Sequence, residues 1–440
     1  MKKWLCLLIL LLPIPAFAEE LYPAMGDNGL WGYINTDAKW IIEPQYEGAS
    51  EFRGNYAVIL DLPDALDDDA DREEDYEGII DRTGNIVVEP HYFFDGGYDG
   101  GYYGGKDTGI WVAFSGYGED CREGFFDILS GTFSGTNWLW VCNWCTDSDL
   151  ILVEGGYASR STGDMVLFGD YDCSDDGRFR DGIAVVALLL DEENEIVSDY
   201  FLINELGETI PLPEGVQPAE YAMYAYDRVP VVNTEGLYGY ANGQGEIVIP
   251  LQYADANPFC EGFAGVLFPE GDWGYIDVEG QVIARGFTRV YDFECGYGEV
   301  WTSGTNRYDQ VVAWINDNGE FIPFMDGRFY PITHDRMWMD VEDAPSSPSH
   351  LVDGSGKILT AEPVWLPDYQ PSEFAYGLQP ACNAERKWGY INLDGEVVIP
   401  FVYDYAWDFD GSLARIGLGD REGYIDQAGN VIYMWTETDE

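Results

Sequence analysis

Lys387-Trp388-Gly389-Tyr390-Ile391-Asn392-Leu393-Asp394-Gly395-Glu396-Val397-Val398-Ile399-Pro400 reads as one β-hairpin. Two short apolar runs flank a turn that contains Gly395, the pattern of antiparallel strands joined by a short loop. Pro400 closes the second run, because proline has no backbone donor to give a sheet ladder and fits a strand end or edge. Trp388 is a large anchor that one hairpin cannot bury alone, and Gly389 beside it lets a neighbouring backbone or ring come close.

Outward from this stretch the pattern recurs. Trp31-Gly32-Tyr33-Ile34-Asn35 and Trp273-Gly274-Tyr275-Ile276-Asp277 are strong copies; weaker ones begin at Glu77-Gly78, Glu123-Gly124, Tyr238-Gly239 and Glu422-Gly423. Degraded units fall near Ile203-Asn204, Trp314-Ile315-Asn316, Leu351-Val352-Asp353 and residues 164–170. The count is about eleven, and the ten intervals from Gly32 to Gly423 average roughly 39 residues, a period expected of repeat architectures. After each terminal proline come an aromatic, a turn-rich segment and a Gly-led apolar run, as in Tyr403 to Ile416 and Tyr253 to Phe268. Each unit therefore reads as a three-stranded antiparallel meander, and the fold class is all-β. Eleven units exceed the usual 4 to 8 blades of a propeller, so an open superhelical array is expected, with one or two β-propellers as the alternative.

The quoted residues resemble the WG-repeat family of bacterial proteins, also described as KWG repeats. Residues 31–60, 238–302 and 388–430 carry the resemblance strongly and residues 136–200 poorly. It implies an all-β repeat fold used as a surface or interaction scaffold, with no catalytic residues to carry over. The structural positions are Trp31, Gly32, Trp273, Gly274, Trp388 and Gly389, whose alternative reading is a row of sugar-stacking platforms.

Composition sets the bounds. The 440 residues hold 80 Asp plus Glu against 22 Lys plus Arg, a formal charge of -58 that repels nucleic acid. At 46% hydrophobic and 15% aromatic the chain still has the apolar surface to form a core. Residues 1–18 read as a signal peptide: Lys2 and Lys3, an apolar stretch from Trp4 to Leu12, and Ala16-Phe17-Ala18 as the cleavage site. The expectation is a secreted or periplasmic protein starting at Glu19, with an uncleaved anchor as the alternative, and no integral membrane segment in residues 19–440.

Within the array, residues 61–77 form an acidic insertion, 95–109 a Gly/Tyr insertion and 136–200 a degenerate Cys/Trp-rich section. Asp67, Asp69 and Asp71 alternate like the start of a calcium loop, but Arg72 and Gly78 stand where that loop needs a turn glycine and a bidentate acid. A solvated acidic loop with at most weak calcium binding is expected, and otherwise no cofactor. Tyr98, Tyr102 and Tyr103 are contact candidates because tyrosines on adaptable loops suit binding. Trp138, Trp140 and Trp144 are a second aromatic concentration, read either as contacts or as core. Cys142 and Cys145 have C-x-x-C spacing compatible with a structural disulfide, free thiols, zinc or redox use. Cys260 and Cys295 occupy equivalent places in consecutive units and are read as a possible disulfide.

Only His91, His334 and His350 are present, and no G-x-S-x-G or H-E-x-x-H occurs. The expectation is a non-catalytic scaffold binding a protein or a cell-surface glycan. The alternative is a glycan-active enzyme on the same array, since among 80 acids some pair lies at glycosidase spacing by chance.

Overall fold

The computed structural model describes residues 19–60, 77–94, 109–115, 121–141, 148–169, 171, 177–191, 196–197, 199–220, 222–303, 311–322, 329–341, 347–367 and 374–436. Among them every regular element is a strand and every pairing is antiparallel. The unit is a meander of up to four strands, here A, B, C and D. In its fullest form it comprises Tyr405–Asp410, Leu413–Leu418, Arg421–Asp426 and Val431–Thr436. Sheet 1 is Tyr22–Met25, Trp31–Ile34 and Trp40–Tyr46, and sheet 11 is the four-stranded unit just given. Sheets 2 and 3 are joined because Ile86–Phe94 runs on from one to pair with the other through Phe93 and Phe94. Counting that pair as two, and setting aside the small hairpin Leu189–Asp191 with Ile196–Val197, the chain makes eleven consecutive sheets.

Strand C carries the repeat motif, and its period-two geometry explains the stacking. Successive side chains point to opposite faces, so the motif's fourth residue cannot share a core with its third. Tyr33 packs with Ile42, Ala57 and Ile59 toward sheet 2, whereas Ile34 packs with Leu413, Tyr424 and Trp435 toward sheet 11. Tyr240 and Ala241, Tyr275 and Ile276, and Tyr390 and Ile391 divide in the same way between the following and the preceding sheet. Each unit thus supplies half of two cores, and none has a core of its own.

The last core decides the architecture. Tyr22, Ala24, Met25 and Ile34 from sheet 1 pack against Leu413, Tyr424 and Trp435 from sheet 11. The Tyr22 and Tyr424 rings lie 5.4 Å apart, the Trp31 and Trp435 rings 5.7 Å. The main-chain amide of Ser412 donates to the Tyr22 hydroxyl (2.9 Å), and Tyr433 donates to the Met25 carbonyl (3.0 Å). The all-β array of meanders is as expected, but the expected open superhelix is corrected to its closed alternative: the eleven sheets form one ring. Blade counts of 4 to 8 describe sheets crowded about an axis. Eleven sheets at a spacing of ~10 Å have a mean radius of roughly 18 Å and leave an open centre.

The radial order follows from burial. Strands B and C are covered on both faces, while D strands are covered on one. Ile42 and Tyr46 are buried, while Ile41 before them and Glu43 and Gln45 between them are exposed. Neighbouring sheets diverge toward D, so A lies nearest the axis.

Candidate binding rim

In a meander whose strands alternate direction, all B–C connections emerge on one rim and all C–D turns on the other. The two rims of this ring differ in regularity. At the C–D rim one turn recurs in most sheets, sheets 3 and 4 departing from it, and the same turn stands on the B–C rim only at Asn233 and Asn383 among the described residues. The motif's Asn or Asp accepts main-chain hydrogen bonds from two and four residues on, as Asn392 does from Asp394 (3.0 Å) and Glu396 (2.9 Å), and Asp426 does from Ala428 (2.9 Å) and Asn430 (2.8 Å). Gly395 and Gly429 take the left-handed conformation that closes such a turn. These hydrogen bonds, led by the Ser355 hydroxyl, hold the Asp353 carboxyl below its ordinary range.

At the B–C rim the connections vary. Some are tight, such as the one between Val153 and Gly156, and others are long. The acidic insertion leaves from Leu60 and returns at Glu77, which are paired with each other. The Gly/Tyr insertion is instead an A–B connection of sheet 3: it follows Phe94 and returns at Ile110, which pairs with Asp127 at the C–D rim. Asp67, Asp69, Asp71, Tyr98, Tyr102, Tyr103 and Trp144 themselves lie outside the described residues, as do Cys142 and Cys145.

The motif tryptophans begin strand C at this rim. Trp31, Trp273 and Trp388 are half-buried, each packed against a core cluster. Beside each, the D strand is irregular in register, which drives a main-chain carbonyl toward strand C. A Cβ at Gly32 would lie 2.5 Å from the Ile42 carbonyl oxygen, one at Gly274 2.4 Å from that of Ala284, and one at Gly389 2.5 Å from that of Ile399. The glycine is needed for close approach, since its own backbone is extended.

Where tryptophan gives way to glutamate, a carboxylate serves in its place. Glu123 accepts the main-chain amide of Val141 (2.7 Å), and Glu77, buried, accepts that of Phe94. Glu422 accepts the Tyr405 hydroxyl (2.8 Å) and pairs with Arg415. Arg415 also stands 5.5 Å from the Trp31 ring, 5.1 Å from Trp407 and 5.6 Å from Trp435, filling the aromatic cage at the ring's closure. Sequence reasoning passed over these glutamates; the recurrence of Glu-Gly in place of Trp-Gly was the available signal.

Two candidates resolve into structure. Trp138 is buried and stacked on Phe125, with ring centroids 5.9 Å apart, and Trp140 packs beside the core of sheets 4 and 5. Both sit in cores rather than on a contact surface. Neither Cys260 nor Cys295 is in a disulfide. Cys260 Sγ donates to the Phe293 carbonyl (3.2 Å) and Cys295 Sγ to the Ile332 carbonyl (3.3 Å). The two point the same way round the ring, each toward its next sheet, so the expected bridge is not formed.

The family model for the WG containing repeat matches residues 31–60, 78–94, 238–268, 273–300 and 388–421, so these five stretches are WG repeats. No curated protein matches it. Similar solved structures include the computationally designed Ika8 protein, 12% identical over 65% of this chain and 91% of that one, with a TM-score of 0.28. A eukaryotic initiation factor is 9% identical over 79% and 96%, with a TM-score of 0.36, and BamB from Moraxella catarrhalis is 10% identical over 58% and 79%, with a TM-score of 0.25. The eleven-sheet ring rests on its own contacts.

Proposed function

We propose that this WG-repeat ring is a non-catalytic binding scaffold, secreted or periplasmic, that holds a protein or a cell-surface glycan at its B–C rim. The observation that carries the reading is the contrast between the rims: short turns of mostly one hydrogen-bonded kind make up the C–D rim, whereas the B–C connections range from the tight turn at Val153–Gly156 to the acidic insertion between Leu60 and Glu77. Loops of variable length on a rigid frame are where binding residues gather. One further point supports it. The acidic surface favours partners that are neutral or cationic.

The test incubates protein beginning at Glu19 with insoluble peptidoglycan, mucin and plant polysaccharide, following both protein lost to the pellet and sugar released. Pelleting without release, abolished when residues 61–76 are replaced by a short Gly-Ser link, is the expected result. Sugar release would instead establish a glycan-active enzyme. Pelleting that survives the replacement would move the contact away from this rim.

A further inference from the structure

Sheet 1 meets sheet 11 where the ring closes, and among the described residues it has strands B, C and D but no strand A. In sheets 2, 7, 8 and 11 the strand A segment brings a phenylalanine onto the motif tyrosine of the sheet before. Phe52 meets Tyr33 (ring centroids 4.7 Å apart), Phe259 meets Tyr240 (4.8 Å), Phe293 meets Tyr275 (4.8 Å) and Phe409 meets Tyr390 (5.0 Å). The segment also supplies amides to strand B. In sheet 2 the Leu60 and Val58 carbonyls accept from Glu47 (3.0 Å) and Ser50 (2.9 Å), and in sheet 7 those of Leu267 and Gly265 accept from Ala254 (2.7 Å) and Asn257 (2.9 Å).

At the closure, side chains do both jobs. The residues of sheet 1 that match Leu60 and Val58, opposite the first and third motif residues, are Met25 and Pro23. Their carbonyls accept the hydroxyls of Tyr433 (3.0 Å) and Tyr424 (2.8 Å). Pro23 has no amide to leave unpaired on that edge. The residue opposite the motif's isoleucine is Ala57, Ala264, Gly298 or Ala414 in the other four sheets, which leaves room for the phenylalanine. In sheet 1 it is Tyr22, whose ring takes that room at 5.4 Å from Tyr424.

The first described residues lock the arrangement. The Glu20 carboxylate accepts the Ser412 main-chain amide (3.1 Å) and the Tyr22 hydroxyl (2.8 Å). The Glu19 side chain accepts the Asn35 amide (2.5 Å), and its carbonyl accepts the Arg82 guanidinium. A Cβ at Gly411 would stand 2.9 Å from both the Glu20 carboxyl and the Tyr22 hydroxyl, so sheet 11 fits closely around this segment. In the other four sheets the phenylalanine stands five residues before the small residue, and five before Tyr22 is Phe17, in the leader and outside the described residues. A chain that keeps its leader therefore has two aromatic residues for the one space against Tyr424.

We propose that cleavage between Ala18 and Glu19 is the step that closes the ring. It removes the stretch that elsewhere forms strand A and leaves its place to Tyr22, Tyr424 and Tyr433. Water adds across the Ala18–Glu19 peptide bond, leaving a carboxylate on Ala18 and an amine on Glu19. The agent is a signal-peptide endopeptidase that recognises the small residues Ala16 and Ala18. The proposal rests on the secreted reading and adds what cleavage does to the fold.

Hydrogen exchange at the Ser412 amide tests it, in a chain of residues 19–440 and in one of residues 13–440, which keeps Phe17 but lacks the apolar stretch. Exchange is expected to be about tenfold faster, or more, in the longer chain. Phe17→Ala in the longer chain is expected to return the rate to within about threefold of the shorter one, which separates competition for the Tyr424 site from general misfolding. Equal exchange in the two chains, or no recovery with Phe17→Ala, overturns the proposal. The intact mass of protein exported by a bacterial host is expected to show a start at Glu19. A leader kept on the exported protein overturns the secreted reading and the proposal together, whereas a start at Glu19 with equal exchange overturns the proposal alone.

Discussion

The hydroxyl of Tyr424 donates to the carbonyl oxygen of Pro23 across 2.8 Å, in a buried position, joining the last sheet to the first. It is the same bond that links consecutive sheets elsewhere. Tyr33 donates to Ser50 (3.0 Å), Tyr240 to Asn257 (2.7 Å) and Tyr390 to Trp407 (2.7 Å), each acceptor seventeen residues downstream. Burial holds the hydroxyls of Tyr33, Tyr240 and Tyr424 protonated far above neutrality, so each remains a donor. Tyr424→Phe leaves the Pro23 carbonyl without this donor and is expected to lower stability by about 1–2 kcal/mol in urea unfolding. Tyr240→Phe is expected to cost a similar amount. Only Tyr424→Phe should speed hydrogen exchange at residues 22–25; unchanged exchange there would mean that the ring is not held at this junction.

The motif glycine and the turn glycines should respond differently to the same substitution. Gly236 adopts a φ of 77° with open space around its missing side chain, so Gly236→Ala meets only backbone strain, about 1 kcal/mol. Gly389 is extended, but a Cβ there would stand 2.5 Å from the Ile399 oxygen and 2.8 Å from Pro400. Gly389→Ala is expected to cost about 3 kcal/mol, as overpacking does when backbone must move. Equal losses for the two variants in thermal unfolding would refute the close-approach account.

Gln379 is fully buried, and neither its amide nitrogen nor its amide oxygen has a partner. It lies on the same strand face as Ala381, whose core includes Trp338, itself with a buried unpartnered ring nitrogen. Unsatisfied buried polar atoms cost more than an apolar group of the same size. Gln379→Met is therefore expected to raise stability by about 1–3 kcal/mol in chemical denaturation, and a loss would show that the amide has a partner such as an internal water.

Two carboxylates should give opposite pH dependence. Burial alone pushes the Asp292 carboxyl above its ordinary range, on a strand that faces the ring's centre. A raised acid favours the folded state only while protonated, so its contribution is present below the ordinary carboxylate range and lost as pH rises through the raised value. Hydrogen bonds lower Asp353, so its contribution is present above the ordinary range and lost as pH falls through the lowered value. Asp292→Asn is expected to raise the melting temperature at pH 7 and to match the parent near pH 3. Asp353→Asn should do the reverse, lowering it at pH 7 and matching in acid. Parallel profiles would contradict the assignment.

The units were legible in the sequence because the motif is local: Trp-Gly, an apolar pair, Asn or Asp and a turn glycine follow from one strand and one turn. Tyr33 and Ile34 also had to face opposite ways. Closure was not legible, because it depends on how Tyr22 and Ala24 meet Leu413 and Trp435, contacts between residues almost the whole chain apart. For Trp138 and Trp140 the sequence left contact and core both open, since aromatic density marks a core as readily as a surface, and packing places them with cores.

The alternation at Tyr33 and Ile34 bears on how such a gene can change. In an open stack, a duplicated or lost unit alters only length, and the remaining units keep their partners. In this ring the two ends are each other's partner, so gaining or losing one unit must alter the angle at every junction at once. Inheritance should therefore hold the number of units fixed while leaving each unit free to drift. Sheets 3, 4, 5 and 9 fit that history, having lost the Trp-Gly signature while keeping their places between neighbours.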